Sequence, residues 1–114
     1  VDDMVLDTEI AEYQKMEKEL QTILLQKYQI EMQLNEIGMA LEEIEKVDEK
    51  AEIYRAIGSI LIRTTVEKAR DDLKGRKALL DARIKTLSQQ EEKLRASLSR
   101  LTKKLQEELK HEGG

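Results

Sequence analysis

Apolar residues in the first forty-odd positions recur at alternating spacings of four and three, the heptad signature of a coiled coil. With Tyr13, Leu20, Lys27, Leu34 and Leu41 at a, the d positions read Met16, Ile23, Ile30, Ile37 and Ile44, and only Lys27 interrupts the stripe. A second stripe runs from Val66 to Leu109, with Val66, Leu73, Leu80, Leu87, Leu94 and Leu101 at d. Its a positions, Arg70, Lys77, Ile84, Glu91, Leu98 and Leu105, become more apolar toward the C-terminal end, where the seam is expected to pack most strongly. The pattern predicts helices over about residues 7–47 and 65–110, each roughly 60 to 65 Å long at the rise of an α-helix. Gly38 and Gly75 fall inside them; each costs about 1 kcal/mol relative to Ala, which many heptads of packing absorb.

Between the stripes the period changes to two. Glu52-Ile53-Tyr54-Arg55-Ala56-Ile57, then Gly58-Ser59, then Ile60-Leu61-Ile62-Arg63-Thr64 read as a β-hairpin over about residues 52–64,. Gly followed by a small polar residue suits a type II′ turn, because Gly supplies the positive φ at the first central position. That turn pairs Ile57 with Ile60, Ala56 with Leu61, Arg55 with Ile62 and Tyr54 with Arg63. One face then carries Ile53, Ile57, Ile60 and Ile62, the other Tyr54, Ala56 and Leu61, so neither is the polar face of a hairpin lying on a surface. A lone two-stranded hairpin is marginal in water and leaves two open edges. Ile53, Tyr54, Ala56, Ile57, Gly58, Ile60, Leu61 and Ile62 are therefore expected to form an interface between subunits. Downstream, Thr64 and Glu67 fit a T-x-x-E capping box that starts the second helix,.

A tight hairpin reverses the chain, so the helices should pack side by side with the termini together. Leu6, Ile10 and Tyr13 would then meet Leu98, Leu101, Leu105 and Leu109, with Ile44 near Val66 at the other end. The fold class is all-α dominated: an antiparallel two-helix coiled coil with one β-hairpin connecting the helices, as a single domain over residues 1–114. Composition agrees, with 39% charged, 39% hydrophobic and 3% aromatic residues and no Phe, Trp or Pro, the mix of long helices rather than of a globule built on aromatics. At an a position Lys27 could fix register or partner choice; the favoured expectation is that Lys27 and Glu91 pack their stems while their charges reach solvent.

Charge narrows the function. The chain carries 20 basic and 24 acidic residues, net −4, intermixed rather than gathered into a basic stripe, which argues against nucleic acid as a partner. No apolar run approaches the ~20 residues of a membrane span, and Val1-Asp2-Asp3 stands where a secretory signal would carry positive charge,. The missing initiator Met suggests a processed or truncated start. Without Cys there is no disulfide, thiolate nucleophile or Cys-based metal site, which fits a reducing compartment, and the cytoplasm is expected. Neighbouring acids such as Glu42-Glu43, Asp71-Asp72 and Glu91-Glu92 diverge by ~100° around a helix and cannot converge on one substrate. His111 is the single histidine, phosphate-cradling Gly-rich motifs are missing, and a two-helix coil offers an enzyme no pocket. Neither catalysis nor a cofactor is expected.

The hairpin block Ile53-Tyr54-Arg55-x-x-Gly58-x-x-Leu61-Ile62, preceded by Asp48-x-x-Ala51, resembles the β-type subunit family of archaeal prefoldin. Leu41-Glu42-Glu43-Ile44-Glu45 and Gln90-Glu91 are similar to it as well, and the likeness covers nearly the whole chain; Arg55 stands where Lys is frequent, and Gln is sparse in the first helix. An α-type subunit would carry two hairpins, and the link from Val47 to Val66 holds one. The resemblance implies a hetero-hexamer of two α-type and four β-type subunits whose hairpins join into a β-barrel. It also implies that unfolded client proteins are held at the coiled-coil tips without ATP and passed to a group II chaperonin.

Helix ends fray, so apolar residues near the open end of a coiled coil can be exposed without unfolding the rest. Several such tips acting together gain avidity for clients of no fixed sequence. Met4, Val5, Leu6, Ile10, Tyr13, Leu101, Leu105 and Leu109 are the candidate client-binding residues, Met4 for its adaptable thioether. The same residues could instead simply close the last heptads. Two rival functions remain: a structural or adaptor coiled coil, which would expose polar strand faces, and a dedicated tubulin-cofactor-like folding factor, which would be a stable monomer.

Overall fold

A computed structural model describes residues 2–113, so the Val1 start and the final Gly114 lie outside it. The element order is α1 (Asp3–Glu45), β1 (Ile53–Ile57), β2 (Ile60–Thr64) and α2 (Val66–Gly113). Two long helices flank one two-stranded antiparallel hairpin, the expected fold class.

Local chemistry sets the element ends. Asp2 caps α1, its carboxylate accepting the Met4 amide at 2.9 Å, and this draws the helix start ahead of the expected position,. The last turn of α1 tightens, with the Lys46 and Val47 amides donating to the Glu43 and Ile44 carbonyls at 3.1 and 3.3 Å,. Asp48 then holds the connection, accepting the Lys50 amide on Oδ1 and the Ala51 amide on its carbonyl, both at 2.9 Å,. At the start of α2 the structure corrects the expected cap. Thr64 ends β2, and it is Thr65 whose hydroxyl accepts the Lys68 amide at 3.1 Å. The cap falls one residue later because the strand ladder extends to Ile53 and Thr64 and holds Thr64 in extended backbone.

The hairpin register is the expected one, from Ile57 opposite Ile60 to Tyr54 opposite Arg63. Gly58 has φ of +58° while no other described residue has positive φ, so Ser59 keeps an ordinary backbone and the turn is the type II′ form,.

The chain divides into two compact units, one of Val1–Tyr28 with Lys85–Gly114 and one of Gln29–Ile84. In each, α1 and α2 run antiparallel and bury the predicted seam. Leu20, Leu87 and Leu101 are buried in the first unit, Ile37 and Val66 in the second. In the first unit Lys27 does not simply reach solvent. Its ammonium crosses the seam to Glu91 at 2.7 Å, and Glu91 also receives Arg95 at 2.8 Å. In the second unit Arg70 reaches back to Glu45 at 2.9 Å and Glu49 at 2.8 Å, tying the end of α1 and its exit to α2.

Candidate functional site

Two surfaces carry the candidate residues. The first is the hairpin. Among its strand residues only Ile53 and Thr64, at the base, are half-buried. Tyr54 is 57% exposed, Ile57 49%, Ile60 61%, Leu61 69% and Ile62 48%, and Ala56 and Gly58 are exposed too. Strand alternation sends Tyr54, Ala56 and Leu61 to one face and Ile57, Ile60 and Ile62 to the other,. Both faces thus carry exposed apolar side chains, and among the described residues the two-stranded sheet has no neighbour on either edge. Under the hairpin base lies a groove of about 520 Å³ floored by Ala40, Ile44, Ala69 and Leu73. Its side is fixed by Asp72, which takes Arg55 at 3.7 Å and Arg76 at 3.2 Å. Arg63 pairs with Glu52 ahead of β1, at the base of the ladder.

The second surface is the end of the first unit where the start of α1 meets the end of α2. The structure sorts the eight candidates by heptad position. Leu101 is buried, and Leu6, Tyr13 and Leu105 are half-buried, all on the seam. Tyr13 is also engaged through its hydroxyl: donation to Glu17 holds its pKa above the ordinary value, and a hydrogen bond with Thr102 pulls weakly the other way. Met4, Val5, Ile10 and Leu109 are exposed, lying off the seam at f, g, e and e of the same register. These four are available to a partner without any rearrangement.

Sequence reasoning missed what occupies the d positions at this end. Continuing each register by one heptad puts Glu9 on α1 and Glu108 on α2. Glu9 is only 6% exposed, and Lys104 pairs with it at 2.9 Å. The hydrogen bond from Lys104, and after it the adjacent Glu108 carboxyl, hold the Glu9 carboxyl below its ordinary value, while the neighbouring Glu9 carboxylate pushes Glu108 above its own. Two helices are too thin to seal these groups from water, so the charges are screened despite the low exposure of Glu9.

Among the described residues no cluster of three or more His, Cys, Asp or Glu could hold a metal ion, and no helix is long and apolar enough to cross a membrane.

Comparison with known proteins follows the same outline. The family profile described as Prefoldin subunit matches residues 7–112. Prefoldin subunit beta of Archaeoglobus fulgidus is 37% identical over 105 residues, covering 92% of this chain and 90% of the relative. Its counterpart from Pyrobaculum calidifontis is 40% identical over 97 residues, 85% of this chain and 78% of that one. The crystal structure of the prefoldin beta subunit from Thermococcus strain KS-1 superposes with a TM-score of 0.85 at 31% identity, covering 91% of both chains. With a single hairpin between two long helices, and relatives of this identity over nearly its full length, the chain belongs to the prefoldin family as a β-type subunit.

Proposed function

We propose that this chain is a subunit of an ATP-independent holdase, in which β-hairpins of α-type and further β-type subunits join into a β-barrel and unfolded proteins are held at the coiled-coil ends. Prefoldins are chaperone subunits that assemble with one another, and the hexamer of two α-type and four β-type chains, delivery to a group II chaperonin and a cytoplasmic setting are carried over from the family resemblance. The reading needs no cofactor and no catalytic residue.

The single observation that carries it is the hairpin. Five-residue strands with apolar side chains on both faces and both edges open are costly in water. Strands added at the edges satisfy the free amides and carbonyls, and closure covers one apolar face inside a barrel. An adaptor whose hairpin is a mere connector has no use for Ile57, Ile60, Leu61 and Ile62 in the open.

Capture at the tips requires apolar contacts that accept many sequences. Met4, Val5, Ile10 and Leu109 offer that surface directly, while Leu6, Tyr13, Leu101 and Leu105 become available when the last turns part. Each contact is weak, and several tips in one assembly gain by effective concentration.

Light-scattering mass after mixing with a two-hairpin α-type prefoldin subunit tests the assembly. A defined heteromer is expected, and Leu61→Lys with Ile60→Lys should abolish it while helical content stays unchanged. A chain that remains monomeric beside a competent α-type partner would overturn the proposal.

A further inference from the structure

Coiled-coil d positions are built for apolar side chains, yet at the open end of the first unit both helices place a glutamate there. The Oε2 atoms of Glu9 and Glu108 are both buried, and neither has a hydrogen-bond partner. An ionised carboxylate only accepts hydrogen bonds, so two facing carboxylates leave both oxygens without a donor. One proton between them satisfies both. Lys104 sits on the other side of Glu9, bonded to Oε1 at 2.9 Å, and therefore favours leaving the charge on Glu9 and the proton on Glu108.

We propose that Glu9 and Glu108 form a carboxyl–carboxylate pair across the seam, sharing one proton, so that parting of α1 from α2 at this end releases that proton to water. The charged group facing the pair is Lys104 from α2, on which Glu12 from α1 also acts. The directions of titration agree: Glu9 is held below the ordinary value of 4.5, chiefly by Lys104, and Glu108 above it, chiefly by Glu9.

The sign of the coupling follows. Above 4.5 the parted ends hold no proton, whereas the closed pair keeps one until Glu108 titrates, so opening becomes easier as pH rises through that window,. Below 4.5 the parted Glu9 takes up a proton that the closed Glu9 refuses, so stronger acid also favours opening, and closure is firmest between the two values,. Ile10 and Leu109 directly follow the two glutamates. On the proposed holdase reading, client surface at this end is uncovered by rising pH.

The test does not need clients, so its failure is separable from failure of the holdase reading. Carboxyl-carbon NMR of the full chain, from about pH 3 to about pH 8, should give separate midpoints for Glu9 and Glu108, one on each side of the ordinary glutamate value. Amide exchange of residues 3–13 and 101–111, corrected for the intrinsic pH dependence, should lose protection by up to about tenfold per pH unit within the window, the limit for one released proton. Glu108→Gln, which supplies a donor at every pH, should remove that dependence, and Glu107→Gln, its exposed neighbour, should retain it. A common midpoint for both glutamates, flat protection in the wild type, or unchanged dependence in Glu108→Gln would each overturn the pairing.

Discussion

Single residues on this chain differ sharply in how much they matter, and burial decides which. Leu87 is 1% exposed in the seam, whereas Leu79 on the same helix is 75% exposed. Leu87→Ala should cost about 2–5 kcal/mol, the usual range for a buried leucine, and Leu79→Ala less than about 0.5 kcal/mol; urea unfolding of the two variants measures both. A Cβ added at Gly38 or Gly75 meets nothing within 4 Å. Gly38→Ala and Gly75→Ala should therefore each stabilise by roughly 1 kcal/mol, and a loss of stability in the same unfolding experiment would show that the helix needs glycine there. At this scale the sequence was legible wherever chemistry and period agreed. Glu9 and Glu108 are the d positions one heptad beyond the apolar stripes, so the register points to both, but a glutamate at a helix end reads as solvated until the fold buries it. Lys27 was visible as a break in the stripe, but its partner Glu91, 64 residues away, follows only once antiparallel alignment is fixed.

Elements are held by the seam and by a few ionic ties across it. Glu91 is kept below its ordinary carboxyl value first by the hydrogen bond from Lys27 and then by that from Arg95. Its contribution is therefore complete above 4.5 and disappears as pH falls through the lowered value,. Glu91→Gln should lower the melting temperature at neutral pH, and the gap from wild type should close in acid; a constant gap in a pH series of thermal melts would contradict the linkage. Such a pair in an otherwise apolar stripe favours one alignment of α1 and α2 over slipped ones. The hairpin's turn type and register were readable because Gly58-Ser59 admits one tight turn. The cap of α2 was not readable to the residue, since Thr64 and Thr65 are equally good caps and only the length of the ladder chooses between them.

For the molecule as a whole, the proposed function rests on surfaces that the folded chain leaves open. The hairpin exposes Ile57, Ile60, Leu61 and Ile62, and the end of the first unit exposes Met4, Val5, Ile10 and Leu109. The heptad register sets Ile10 and Leu109 at e apart from Leu6 and Leu105 at a, but it does not say how far the e residues stay uncovered. Three-dimensional burial supplies that and so refines the variant to be studied. The most direct measurement is suppression of aggregation of a chemically unfolded client, without ATP, by the assembled complex containing wild-type chain or the Met4→Ser, Ile10→Ser, Leu109→Ser variant. The account predicts full protection by the wild type and several-fold weaker protection by a variant complex of unchanged mass. Equal protection by the two complexes would contradict capture at this end of the chain, and no protection by either would contradict the holdase function itself.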